Sequence, residues 1–329
     1  MQTKMIRFNV FRFNAQTDYL PYYEKYDLEV GQDDLVLDIL NKIKWEKDGS
    51  FTYRRSCRHG ICGSCAIKVN NKPVLSCKVN VFELVKIFGT ELTFEPQDMT
   101  RAIKDMVIDK ENFWQKYNAV KPYLIGKIEE HPESENIISK EEAEKLEETD
   151  YCIQCGNCFY ACSSLSVNKD FLGPAALTKA FRFNADVRDS ATKERLHILD
   201  ELGSGVWDCV KCNECAQACP KELNPIDKIT KLHNQLFAYN MAKKNVASKH
   251  AVGFKHSIKK HGLLDEGELV RYSEGNIGVL KHLPEALKMM KKGKIVPPWK
   301  MPKSKNLDEV RKLVESSSSV VEYQGVENE

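Results

Sequence analysis

Twelve cysteines fall into three tight groups with none left over. The first group is Cys57, Cys62 and Cys65 with Cys77 further on, a C-x4-C-x2-C run with a distant fourth member. The second is Cys152, Cys155, Cys158 and Cys162; the third is Cys209, Cys212, Cys215 and Cys219, followed by Pro220. Both later groups read C-x2-C-x2-C-x3-C. Thiolates at these spacings hold iron–sulfur clusters, a 2Fe-2S cluster for the first pattern and 4Fe-4S clusters for the other two. Disulfides would suit a small secreted scaffold, which a chain of 329 residues is not. Zinc takes pairs of C-x2-C hooks separated by a longer loop. Three thiolates in C-x2-C-x2-C instead wrap one compact cluster, because they must reach three of its irons.

Stepping outward from the first group, the pattern is strand-rich. "MIRFNVFRFN" and "KYDLEV" alternate as a strand pair, and "VLDILNKIKWEK" puts Val36, Leu37, Leu40 and Ile43 on one helical face. "AIKVNNKPVLSC" reads as strand, Asn-Asn turn and strand, and "ELTFEP" as another strand. That order matches the β-grasp of plant-type ferredoxins. Gly60 and Gly63 let main-chain N–H groups approach the sulfurs, where a Cβ would obstruct them. Arg54, Arg55, Arg58 and His59 form a basic rim that is either solvated or a docking surface. The second half reads helical in "SKEEAEKLEETD", "PAALTKAFRF", "KERLHILDELG" and "NPIDKITKLHNQLFAYNMAKK", with a capping box from Ser139 to Glu142. The expected class is α+β: a plant-type 2Fe-2S ferredoxin domain at 1–110, an all-α two-cluster ferredoxin domain of bacterial type at 111–245, and a helical extension at 246–329. In two-cluster ferredoxins the fourth cysteine of each group ligates the other cluster. That likeness implies Cys152, Cys155, Cys158 and Cys219 for one cluster, and Cys162, Cys209, Cys212 and Cys215 for the other.

The net charge of +2 excludes little, but its distribution is uneven. Residues 129–150 hold ten Asp and Glu against two Lys and read as a solvated connector. Residues 241–305 hold fifteen Lys and Arg against five acids, suited to an anionic partner, a membrane surface or solubility alone. No base-reading motif accompanies them, so no nucleic acid is expected. No stretch reaches the about 20 apolar residues of a membrane span, and "MQTKMIRFNVFRFN" lacks a signal-peptide pattern. Membrane contact is therefore expected through partners.

"SCRHGICGSCAIKVNNKPVLSC", "IKDMVIDKENFWQKYNAVKPYL", "CIQCGNCFYAC", "DFLGPAALTKAFRFNADVRD" and "CVKCNECAQACPKELNPIDKI" together resemble the iron–sulfur subunit of succinate dehydrogenase and fumarate reductase, over about residues 5–240. The resemblance implies an electron relay between an FAD-containing flavoprotein, where succinate and fumarate interconvert, and a quinone-side module. It implies no catalytic acid or base on this chain. Two departures stand out. Common members have three cysteines in the third group and a 3Fe-4S cluster there; Cys212 supplies the missing ligand and implies a second 4Fe-4S, with a spectator thiol beside 3Fe-4S as the alternative. After Cys162, Ser163, Ser166 and Val167 stand where a proline and aromatic residues line the usual quinone pocket. "ASKHAVGFKHSIKKHGLLDEGELVRY" resembles the tail of the ferredoxin subunit of heterodisulfide reductases. That points to the atypical branch, including methylmenaquinol:fumarate reductases, in which a cysteine-rich subunit replaces the membrane cytochrome. It also leaves open a ferredoxin subunit of a thiol- or disulfide-coupled reductase. "GVLKHLPEALKMMKKGK" places Leu280, Leu283, Leu287 and Met290 on one side of a helix, for the core or a partner helix. "VPPWKMPKSK" reads as extended and "ESSSSVVEYQGVENE" as disordered. Isolated histidines read as structural or solvated. The cytoplasmic face is the default location, and the periplasmic one follows if the flavoprotein carries a twin-arginine signal.

Overall fold

The computed structural model of the chain describes residues 3–126, 133, 135–297 and 300–319. It divides into two units, Met1–Arg195 with Cys209–Thr230, and Leu196–Asp208 with Lys231–Glu329.

The first unit opens with a five-stranded sheet. β1 (Thr3–Arg12) and β2 (Tyr22–Gly31) pair antiparallel from Thr3 opposite Gly31 to Arg12 opposite Tyr22. The alternation read in the sequence buries Ile6, Phe8 and Val10 from β1 and Tyr26, Leu28 and Val30 from β2. α1 (Val36–Lys42) follows and buries Val36, Leu37 and Leu40, with Ile43 just beyond its end. β3 (Ala66–Val69) and β4 (Lys72–Leu75) turn through Asn70 and Asn71, whose φ values of +46° and +64° are what a two-residue hairpin demands. α2 (Val81–Phe88), which the sequence reading did not distinguish, starts where the Asn80 side chain accepts the N–H groups of Phe82 and Glu83. β5 (Glu91–Glu95) then enters mid-sheet, parallel to β1 and antiparallel to β3, giving the order β2-β1-β5-β3-β4. Phe94 meets Phe8 there at 5.1 Å between ring centres. A small ladder of β6 (Ala102–Lys104) and β7 (Val107–Ile108) closes this part. Arg12, 6% exposed, ties it together through Asp105 at 3.0 Å, Glu24 and Asp48.

Helices make up the rest of the unit. α3 (Glu111–Ala119) buries Phe113 and Tyr117. α4 (Lys140–Asp150) starts at the expected capping box, Ser139 accepting the Glu142 N–H and Glu142 reaching back to Ser139. One-turn α5 (Asn157–Tyr160) and short α6 (Ser163–Val167) precede α7 (Gly173–Asn184), which is buried on almost every side. One-turn α9 (Glu214–Gln217) also belongs here, while α8 (Thr192–Leu199) and α10 (Pro225–Ala238) begin in this unit and end in the second. Arg195 is fully buried and pairs with fully buried Asp189.

In the second unit Trp207 donates its indole N–H to Asp200 at 2.7 Å and packs on His233 and Phe237. α11 (Val246–His261) ends at Gly262, which takes φ +70°. α12 (Glu266–Lys291) begins at the Asp265 cap and is interrupted at Gly275. Leu280, Leu283 and Leu287 lie in α12 and are exposed, at 68%, 42% and 49%. They therefore do not serve this unit's core. α13 (Leu307–Ser319) takes in Glu315 to Ser319, the start of the stretch read as disordered. Residues 320–329 of that stretch, and 298–299 of the stretch read as extended, lie outside the described residues. Among the described residues no helix is long and apolar enough to cross a membrane.

Candidate metal centres

No disulfide joins any of the twelve cysteines. In the loop before β3, Arg58, Gly60 and Gly63 adopt φ of +59°, +67° and +68°. These left-handed residues turn successive N–H groups to one side, a concavity suited to an anion. The Cys57 sulfur sits in it and accepts the N–H groups of His59, Ile61 and Cys62 at 3.3–3.4 Å. Those three bonds pull the Cys57 thiol down to about 6, so it favours the thiolate. The Cys62 thiol also bonds the Cys57 sulfur. Across the loop the Cys65 and Cys77 sulfurs are 3.4 Å apart, far beyond a disulfide bond of about 2.05 Å. Burial pushes Cys65 up to about 12, and charges on Cys77 and Cys62 add to the effect. All four cysteines of the first group therefore converge at one place.

Gly63 serves a second purpose. A Cβ there would stand 2.8 Å from both the Cys155 Cα and the Ile153 carbonyl oxygen. The glycine lets the first cysteine loop rest against the backbone of the second. Gly63→Ala should therefore destabilise this contact by more than the about 1–2 kcal/mol of the left-handed backbone alone. Thermal bleaching of the visible absorption should occur at a lower temperature in Gly63→Ala. Gly49→Ala, with nothing within 4 Å of the added Cβ, should behave as wild type.

The second and third groups occupy two cavities. One is lined by Cys152, Cys155, Cys158 and Cys219 with Phe113 and Pro220. The other is lined by Cys162, Cys209, Cys212 and Cys215 with Phe171 and Ile229. The fourth cysteine of each group thus lies with the other group's first three. Burial drives the Cys158 thiol well above its usual value, and charges on Cys155, Cys152, Cys219 and Cys215 push the same way. Burial likewise raises Cys155 to about 11 and Cys215 to about 12. Four crowded thiols of this kind become thiolates only beside a cation, so the donor sets fit clusters of positively charged iron.

The two loops repeat each other. Gln154 and Gly156 take φ of +54° and +88°; Lys211 and Asn213 take +55° and +69°. Each loop leads into a one-turn helix, with Tyr160 N–H to Gly156 C=O at 3.0 Å matched by Gln217 N–H to Asn213 C=O at 3.3 Å. Cys162 N–H to Phe159 C=O at 3.3 Å is matched by Cys219 N–H to Ala216 C=O at 3.2 Å. In this register Cys212 occupies the position of Cys155. The surroundings differ: Cys155 is buried, whereas Cys212 is exposed beside Val210, 66% exposed. At the same end Ser163 donates to Glu214 at 2.5 Å, and Val167 is 88% exposed.

Two side chains that the sequence reading did not single out hold the Cys155 loop. Gln97 donates to the Cys155 carbonyl at 3.2 Å and to the Asn157 side-chain oxygen at 2.6 Å. Lys110 donates to the same carbonyl at 3.0 Å, and burial lowers its pKa. Neither lies near a cysteine in sequence, so spacing carries no sign of them. The rim residues Arg54, Arg55, Arg58 and His59 are exposed, with Arg55 over the Trp45 ring and bonded to Asn41.

Three converging sets of thiols on one chain, with the first two loops touching, define an iron–sulfur electron carrier with several centres. Residues 7–115 match the family model of a 2Fe-2S iron-sulfur cluster binding domain, and residues 148–223 that of a 4Fe-4S dicluster domain. The fumarate reductase iron-sulfur subunit of Haemophilus influenzae is 35% identical over 231 residues, 67% of this chain and 88% of that protein. The succinate dehydrogenase iron-sulfur subunit of Coxiella burnetii is 37% identical over 232 residues, 70% of this chain and 96% of that protein. A chain of the Mycobacterium smegmatis Sdh1 complex in the apo form has the same fold, with a TM-score of 0.64 at 22% identity, covering 72% of this chain and 98% of that one. The chain belongs to the family of iron–sulfur subunits of fumarate reductase and succinate dehydrogenase. Its work is electron transfer within an oxidoreductase complex.

Proposed function

We propose that this chain serves the atypical branch of the family, passing electrons between an FAD-containing flavoprotein and a cysteine-rich, heterodisulfide reductase-like subunit that connects to the quinone pool. Cys57, Cys62, Cys65 and Cys77 hold a 2Fe-2S cluster. Cys152, Cys155, Cys158 and Cys219 hold a 4Fe-4S cluster, and Cys162, Cys209, Cys212 and Cys215 hold a second. The observation that carries this reading is the repeated loop geometry, which gives Cys212 the backbone setting of Cys155.

Such clusters, when bound, accept and release single electrons. The chain's own residues decide where and how easily. The N–H groups of His59, Ile61 and Cys62 stabilise negative charge on the Cys57 sulfur and so favour the reduced state of the first centre. Gly63 keeps the first and second loops in contact, which shortens the path between them. Phe113, Pro220 and Leu223 give the cavity of Cys152, Cys155, Cys158 and Cys219 an apolar wall. The exposed edge at Val210, Cys212 and Val167 is the exit towards the next carrier. The 2Fe-2S end, with its exposed Arg54, Arg58 and His59, faces the flavoprotein.

The same reading takes residues 1–110 as a β-grasp ferredoxin domain, 111–245 as an all-α two-cluster ferredoxin domain and 246–329 as the partner-binding extension. The complex sits on the membrane through its partners, on the cytoplasmic face unless the flavoprotein bears a twin-arginine signal. Two experiments test the assignment. Cys65→Ala should abolish the 2Fe-2S paramagnetic signal of the dithionite-reduced protein and leave the iron of the other groups in place; a retained signal rejects the ligand set. Leu280→Asp with Leu287→Asp, both on exposed positions of α12, should release the cysteine-rich subunit at unchanged iron content. Full co-purification of that subunit with the double variant rejects the docking role.

A further inference from the structure

The connection between α11 and α12 gathers three potential ligands that no cluster uses. His261 is the last residue of α11, Asp265 caps α12, and Glu268 stands in the first turn of α12. One donor atom from each lies within 4.8 Å of the other two. His261 and Asp265 are each 8% exposed, and the Glu268 side chain is 9% exposed. Among the described residues, neither ring nitrogen of His261 has a hydrogen-bond partner, and nor does Oε2 of Glu268. Burying an imidazole with both nitrogens unpaired is costly. His261 Nε2 is 3.8 Å from Glu268 Oε2, too long for a hydrogen bond between them. It is the separation of two ligands on one ion, since donors each about 2.1 Å from a shared metal stand ~3–4 Å apart.

The remaining contacts leave this side open. Glu268 Oε1 is taken by Lys260 at 3.0 Å and His256 at 3.4 Å. Asp265 Oδ1 accepts the Glu268 N–H at 3.0 Å, which orients that carboxylate. The C-terminus of α11 presents carbonyl dipoles that favour a cation.

We propose that His261, Asp265 and Glu268 bind a divalent transition-metal ion, zinc by the chemistry of the set, which clamps α11 to α12. One imidazole and two carboxylates suit zinc and the harder manganese, and the absence of thiolate from the set separates it from the iron centres. The ion fixes the turn between α11 and the first part of α12, before the break at Gly275, and the site stands whatever the cluster assignment.

The test uses the full-length protein with its clusters intact, treated anaerobically with a chelator and then supplied with zinc chloride. After gel filtration, wild type should retain one zinc per chain beyond its iron, and its melting temperature should rise with added zinc. Glu268→Gln should retain at least about tenfold less zinc at unchanged iron content. His261→Phe fills the same space without a ligand; it should bind no zinc and melt at one temperature with or without the ion. Wild type that retains no zinc overturns the proposal, as does zinc retained equally by His261→Phe.

Discussion

Cys212→Ile should leave the protein short of about one iron in about ten and give it a paramagnetic signal without any reductant. Cys212 would be the sole protein ligand of one corner iron. The other three members of its set, Cys162, Cys209 and Cys215, line the same cavity and are untouched by the change. Three thiolates suffice for a 3Fe-4S cluster, whose oxidised form has an odd electron count, whereas an oxidised 4Fe-4S cluster of this kind is silent. Cys212 is exposed, so isoleucine there disturbs little packing and the effect reads on ligation alone. The last centre should also titrate at a higher potential, and transfer to a low-potential acceptor should slow. Iron analysis and low-temperature paramagnetic resonance on anaerobically isolated protein check all of this. A stoichiometric 3Fe-4S signal already present in wild type would make Cys212 a spectator and return the third centre to the common family pattern.

Asp189→Asn should be among the most destabilising single substitutions in the chain. Asp189 and Arg195 have no exposed side-chain surface and make two bonds, at 2.5 and 3.0 Å. Arg195 also donates to the carbonyls of Lys121 and Tyr123, and Asp189 accepts the N–H groups of Ile125 and Ala191. The pair thereby holds the segment after α3 against the start of α8. Removing the carboxylate charge leaves a buried guanidinium uncompensated, at a cost of about 3–5 kcal/mol. The new amide also faces N–H donors with a donor of its own. The rate of bleaching at fixed temperature reads the difference. Asp27→Asn, at an exposed pair with Arg7, should leave that rate nearly unchanged. Equal rates for the two variants would show that the buried pair contributes no more than a surface one.

The course of the cysteine loops was legible because a C-x2-C-x2-C spacing constrains the backbone within a few residues. A C-x2-C-x2-C loop must follow one path whatever surrounds it, and Gln154 with Gly156 and Lys211 with Asn213 follow it twice. The Asn70–Asn71 turn and the Ser139 capping box were readable for the same reason: their hydrogen bonds close within a few residues. Alternation likewise gave away β1 and β2 and the buried side of each.

Everything that depends on approach between distant segments was settled by the tertiary structure. The parallel seat of β5 beside β1 joins strands some eighty residues apart, and no local pattern encodes a partner at that distance. Gln97 and Lys110 reach the Cys155 carbonyl from outside any motif. Leu280, Leu283 and Leu287 read as one apolar helix side, but periodicity says only that a side is apolar; burial is decided by what packs there, and in this unit they are exposed. His261 shows the same limit in reverse. In sequence it is an isolated histidine; the turn at Gly262 brings it against Asp265 and Glu268, because a left-handed residue reverses the chain and stacks the end of one helix on the start of the next.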